Sequence, residues 1–234
     1  MTSASGRPFD AVLCDVDGVL RHWPSIEPVE LAHGASPGTL YAAAFAPQRL
    51  LPAITGGLTD DEWRALVTVD LAESGGLERK VAESLVAAWS AMRPTTDEKV
   101  VALLRLARDA MAMPVSLISN ATTRLEADLA EAGLSEFIDT AINTSRVGFA
   151  KPDPRVYAYA AEYVGVLPSR CLFVDDSAAN VEAARDVGMV GVHFRTNADL
   201  ERVLSADRFF DHGRRDLGDD RSAGGVARSG QRPG

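Results

Sequence analysis

The chain has 234 residues and a mass of 24.9 kDa, 46% apolar and 24% charged, which suits one domain, or a domain with a modest insertion, that buries its own core. Its 33 acidic residues outnumber 24 basic ones for a net charge of −9; without the basic excess or stripe of a binder held by phosphate contacts, no nucleic-acid partner is expected. No apolar run approaches the roughly eighteen residues of a membrane span, the first residues lack an apolar signal segment, and Cys14 and Cys171 lie in apolar runs as buried thiols do in a reducing cytoplasm.

The first predicted strand covers 11–14 and runs into Asp15-Val16-Asp17-Gly18-Val19. Two carboxylates two residues apart at the carboxyl end of a strand sit where open α/β sheets bind ligands. They suit a hard divalent cation, or a nucleophile beside a proton carrier, with Gly18 allowing a sharp turn; a solvated Asp-Gly turn is the plainer alternative. Residues 21–92 then show no strand pattern but at least three helices. One starts at Ser36-Pro37, one covers 60–72 behind the capping box Thr59-x-x-Glu62, and one covers 77–92 with Val81, Leu85 and Trp89 at helical spacing. An all-helical insertion straight after the first strand reads as a cap over the carboxyl end of the sheet. Arg21, His22 and Trp23, at the exit from core to cap, face the cleft entrance as either substrate contacts or hinge packing. Trp63 and Trp89 pack the cap.

Beyond the insertion, Thr96 caps a helix over 97–111, and a strand over 115–119 ends at Ser119-Asn120. A hydroxyl and free N–H groups there can receive an anion or merely cap the next helix, over 121–132. Gly133, Gly165 and Gly188 stop that helix and those over 155–164 and 178–187. Lys151 lies in Gly148-Phe149-Ala150-Lys151-Pro152-Asp153-Pro154, where prolines fix the backbone around its ammonium. The strand over 171–174 enters Asp175-Asp176; adjacent acids at a buried strand end repel unless a cation compensates them, which favours metal ligation over simple capping. A last strand over 190–194 carries His193 as a core residue. Strands alternating with helices of this length predict a parallel α/β sheet. Residues 212–234, with six Gly, five Arg and three Asp, offer little to bury and read as a disordered tail.

Asp15-x-Asp17, Ser119, Lys151 and Asp175-Asp176, in that order, resemble the four motifs of the haloacid dehalogenase superfamily. The likeness runs from about Phe9 to Thr196. It implies a Rossmann-like core over 8–20 and 93–211 with a small helical cap over 21–92. The second acid of the first motif, Asp17, places the chain among the magnesium-dependent phosphatases and mutases and not the true dehalogenases. By the same resemblance Asp15 is the nucleophile, Asp17 the general acid and base, and Ser119, the Asn120 backbone and Lys151 the groups that neutralise the transferring phosphoryl oxygens. The resemblance also implies Mg²⁺ held by the Asp15 carboxylate, the Asp17 carbonyl and Asp176, with Asp175 close behind or ligating through water. Asp175-Asp176 followed by Asn180 resembles the branch with bacterial sugar-1-phosphate phosphatases, so the implied substrate is a small phosphorylated metabolite, sugar phosphate-like. His22 is not at the spacing of the cap-linker histidine of the superfamily's sugar-phosphate mutases. A phosphomutase and a non-catalytic phospholigand-binding relative are the alternatives. Oligomeric state is not legible.

Overall fold

Residue 7 to residue 205 are described in the computed structural model. Pro8–Leu204 form one unit; of the other, which comprises Met1–Arg7 and Ser205–Gly234, only Arg7 and Ser205 are described. The tail expectation for 212–234 lies outside the described residues.

Strand β1 (Ala11–Cys14) is buried at every position, as a strand between two neighbours and two helix layers must be. It leads to a two-residue strand β2 (Arg21–His22) and the helices α1 (Glu27–Ala32), α2 (Thr39–Ala44), α3 (Pro47–Ile54), α4 (Asp60–Glu73) and α5 (Arg79–Ser90). The chain returns through β3 (Thr95–Thr96) and α6 (Glu98–Arg105). It then alternates through β4 (Val115–Ser119), α7 (Leu125–Glu131), β5 (Thr140–Asn143), the single turn α8 (Thr144–Val147), α9 (Pro154–Tyr163), β6 (Cys171–Asp175), α10 (Ala178–Asp186), β7 (Val190–His193) and α11 (Asn197–Leu204). Five strands form one parallel sheet in the order β5-β4-β1-β6-β7. This is a Rossmann-like α/β fold. Because β1 lies at its centre, Asp15 emerges between the ends of β4 and β6, at the crevice such sheets offer to ligands.

Helix α9 covers the sheet with Val156, Tyr157, Ala160 and Ala161, and Tyr157 meets Phe173 of β6 edge-to-face at 5.2 Å. The helices after β1 bury a second apolar cluster around Leu40, Trp63, Val67, Leu71 and Leu85. There the Trp63 and Trp89 rings cross edge-to-face at 5.2 Å, an arrangement aromatic quadrupoles favour.

Local reading and structure differ in several places. Residues 21–92 do contribute a strand: Arg21–His22 pairs antiparallel with Thr95–Thr96, joining the two chain segments that enter and leave the helical insertion. Thr96 is therefore extended, and Asp97 caps α6 by accepting from the N–H groups of Lys99 and Val100. The end of that helix widens into a π turn, Leu106–Ala110, with Met111 N–H reaching Leu106 C=O. The helix placed at Ser36-Pro37 starts at Thr39, because the buried Glu30 carboxylate accepts from Gly38 N–H at 2.8 Å and Leu40 N–H at 2.6 Å and so caps it from a distance. The helix expected from 121 begins at Leu125, since residues 121–124 form a loop held by other elements. Helices α1 and α3 and the edge strand β5 were not anticipated. The cap box of α4 is complete: Glu62 N–H donates to the Thr59 hydroxyl and Thr59 N–H to the Glu62 carboxylate.

Candidate active site

The site grows from the sheet's carboxyl edge. Asp15 continues β1 by donating its N–H to Val174 C=O at 2.8 Å, which fixes its side chain between β1 and β6. Its Oδ1 accepts from Val16 N–H at 2.7 Å and pairs with Lys151 Nζ at 2.8 Å. The Val16 carbonyl accepts from both Leu20 and Arg21, while Gly18 N–H donates to Arg21 C=O. This tight turn carries Gly18 at φ 90°, a conformation side chains resist. A Cβ there would overlap the Asp176 carboxylate.

Lys151 reaches in from the loop before α9. The Asn120 side chain locks that loop, accepting from Lys151 N–H and donating to Lys151 C=O, both at 2.8 Å. The Lys151 side chain is 2% exposed, and its ammonium donates to Ile118 C=O at 3.0 Å, Asp175 Oδ2 at 2.7 Å and Asp15 Oδ1 at 2.8 Å. An ammonium has three protons, so all three are committed. Lys151 thus bridges two buried acids.

Asp175, fully buried at the end of β6, also accepts from Ser177 N–H at 2.8 Å and from Asn180 Nδ2 at 3.0 and 3.1 Å. Asp176 is exposed beside it. Ligand atoms of Asp15, Asp175 and Asp176 lie within 4.8 Å of one another. Partial desolvation, with the neighbouring Asp175 adding to it, raises the Asp176 carboxyl above its ordinary range; full burial raises Asp15 against the opposing pull of Lys151. One lysine does not compensate three acids. The donor set is all oxygen, crowded and over-negative, which fits a hard divalent cation.

Ser119 ends β4 and is 1% exposed. Asp17, although two residues from Asp15, sends its carboxylate elsewhere: it accepts from Arg21 Nε at 2.6 Å, Trp23 Nε1 at 2.7 Å and Arg21 Nη2 at 3.2 Å. His193, read as a core residue, is instead partly exposed at the end of β7, with Nε2 2.9 Å from the Asp176 carbonyl. Its register opposite Asp175 puts it at the sheet edge.

Helix α4 meets the loop after Ser119. Asp60 is buried; its carboxylate accepts from Thr122 Oγ1 at 2.7 Å and Arg64 Nε at 2.6 Å, and its N–H donates to Thr123 Oγ1 at 3.0 Å. Nothing local in the sequence signals this contact, and the motif that joins Asn180 to Asp175-Asp176 does not by itself state the Asn180–Asp175 bonds. The second had a signal, since Asn180, five residues after Asp175, falls in the first turn of α10.

A family model described as a haloacid dehalogenase-like hydrolase matches residues 9–188. A phosphatase of Mycobacterium tuberculosis is 47% identical over 58 residues, 25% of this chain and 27% of that protein. The fructose-1-phosphate phosphatase of Escherichia coli is 34% identical over 70 residues, 30% of this chain and 37% of that one. The matches thus span well under half of these relatives. Among solved structures, a HAD family enzyme from Bacteroides thetaiotaomicron, crystallised as a magnesium complex, has the same fold with a TM-score of 0.62 at 19% identity, over 78% of this chain and 91% of that one.

Proposed function

The chain belongs to the haloacid dehalogenase-like hydrolase family, and within it we propose that it is a magnesium-dependent phosphomonoesterase acting on a small phosphorylated metabolite, sugar phosphate-like, through an aspartyl-phosphate. The observation that carries this reading is the convergence of Asp15, Asp175 and Asp176 around a buried Lys151. Relatives with phosphatase activity in their names, one acting on fructose 1-phosphate, support the substrate class.

In this reading both contacts to Asp15 use Oδ1, and Oδ2 attacks phosphorus. The P–O bond to the leaving alcohol breaks, and Asp17 gives the departing oxygen a proton. Water then attacks the aspartyl-phosphate while Asp17 takes its proton, and Asp15 leaves as the free carboxylate. Ser119 Oγ and the Asn120 N–H hold phosphoryl oxygens, since phosphoryl transfer depends mainly on positioning and charge neutralisation. Lys151 keeps Asp15 aimed and offsets the charge of Asp15 and Asp175. Magnesium, held by the Asp15 and Asp176 carboxylates and the Asp17 carbonyl with Asp175 behind them, would supply the remaining positive charge at the phosphoryl group.

A phosphate-release screen over a panel of phosphomonoesters, with and without EDTA, tests the assignment. Magnesium-dependent release that Asp15→Asn abolishes is expected. Phosphate moved to a second sugar phosphate without release would identify a mutase, and binding without turnover a non-catalytic relative.

A further inference from the structure

That reading gives Asp17 a task but gives none to the two residues that hold it. We propose that Arg21 and Trp23 are positioning residues for Asp17: they keep its carboxylate outside the cluster of Asp15, Asp175 and Asp176 and aimed at the leaving group. The proposal rests on the phosphomonoesterase reading.

Asp17 is two residues from Asp15, yet the three-acid cluster does not include it. Its Oδ1 accepts from Arg21 Nε and Trp23 Nε1, and its Oδ2 from Arg21 Nη2, so both oxygens are tied to one side. An i,i+4 ion pair on an exposed helix would mean little. This one is different, because the Arg21 side chain is 5% exposed and a buried guanidinium needs its partner. Arg21 is itself pinned. Its N–H and C=O bond within the turn to Val16 and Gly18, and β2 pairs it with Thr96. Trp23 is 45% exposed, with its indole N–H spent on Asp17 and its ring 5.2 Å from the Arg21 guanidinium carbon, a cation–π distance. A large aromatic left in solvent with its one polar atom directed at a carboxylate is a holder, not core packing. If it were released, Asp17 could swing toward the cation site as a fourth ligand, where it would no longer serve the leaving oxygen.

Trp23→Phe removes one donor and keeps the ring; because Trp23 is exposed, this variant spares the fold where Arg21→Ala would not. The first measurement is made on metal-free protein. The chain has three tryptophans, giving three indole N–H resonances, of which the one lost in Trp23→Phe belongs to Trp23. Asp17→Asn is expected to move that resonance selectively and leave that of Trp63, which donates to Ala44 C=O. An unmoved Trp23 resonance overturns the proposal. The second measurement compares an alkyl phosphomonoester turned over by the wild type with p-nitrophenyl phosphate, whose leaving group needs no proton. In Trp23→Phe, kcat/KM, which reports the step that releases the alcohol, should fall at least tenfold further for the alkyl ester than for the nitrophenyl ester, with Arg21→Lys between the two proteins. Equal falls on both substrates make the pair merely structural and overturn the proposal. A wild type inactive on every ester overturns the phosphomonoesterase reading instead, and the indole resonance still decides whether Asp17 is held.

Discussion

The space that a side chain at Gly18 would occupy is filled by the Asp176 carboxylate. The first and last acidic segments of the site, 158 residues apart in sequence, meet there without room for a methyl group. A backbone at φ 90° makes that approach possible, and alanine in this conformation costs about 1–2 kcal/mol.

Gly18→Ala should therefore fold with a melting temperature lower by several degrees, while magnesium-dependent turnover falls about a hundredfold or more as Asp176 is displaced. Calorimetry and a magnesium titration of activity check this; wild-type turnover in Gly18→Ala would show that the contact carries no function.

Lys151→Met leaves Asp15 and Asp175 buried without their shared cation. Breaking a buried pair from one side costs about 3–5 kcal/mol, and activity should vanish with it. Adding Asp175→Asn should recover part of the stability and none of the turnover. Denaturant unfolding separates the two effects, and full stability in the single variant would mean that the bridge is not formed in solution.

Much of this geometry was legible in the sequence, but unevenly. Strands β1 and β4 could be read to the residue because all their side chains are buried and polar residues bound them. Strand β5 could not, as an edge strand with two of its four residues half-buried looks like a loop. Helix α2 was displaced because its cap, Glu30, lies outside the local window. The acids of the site could be named from their places at strand ends. Their division could not: Asp17 turns to Arg21 and Trp23, and the Lys151 protons are all taken, through side-chain bonds that no spacing rule encodes. The Asp60–Thr122 contact joins residues 62 apart, beyond any periodicity.

That contact predicts its own phenotype. Asp60→Ala removes acceptors from Thr122 and from Arg64, whose Nη1 is already buried without a hydrogen bond, and should cost about 2–3 kcal/mol. Thr122→Val alone should cost about 1 kcal/mol. In a double-mutant cycle the double variant should lose less than the two single losses added together, whereas strict additivity would deny the bond.

On α4, Asp70 accepts from Arg49 at 2.6 and 2.8 Å, and the bonds from Arg49 hold its carboxyl below the ordinary range. A lowered carboxyl contributes stability above its unfolded value, about 3.9, and loses it as pH falls through the folded one. The Arg49–Asp70 coupling, about 0.5–1 kcal/mol at pH 7 for a partly exposed pair, should therefore persist down to about pH 4 and disappear below it. A coupling that grows on acidification would reverse the sign and refute the pairing.

Asp17 is open to a kinetic test. General acid help is worth about 10²–10⁴-fold, and a sugar alkoxide needs it where nitrophenolate does not. Asp17→Asn should keep a nitrophenol burst followed by slow turnover, while phosphoenzyme formation from a sugar phosphate collapses. If both first steps fall equally, Asp17 acts through the metal or the fold.

That Asp15 is the nucleophile can be measured by acid quenching during turnover with magnesium, followed by peptide mass analysis. One phosphoryl group is expected on the peptide containing Asp15, removed by hydroxylamine, and absent in Asp15→Asn and in EDTA. Turnover of Asp15→Asn within tenfold of wild type, or a phosphoryl group trapped on another residue, would contradict it.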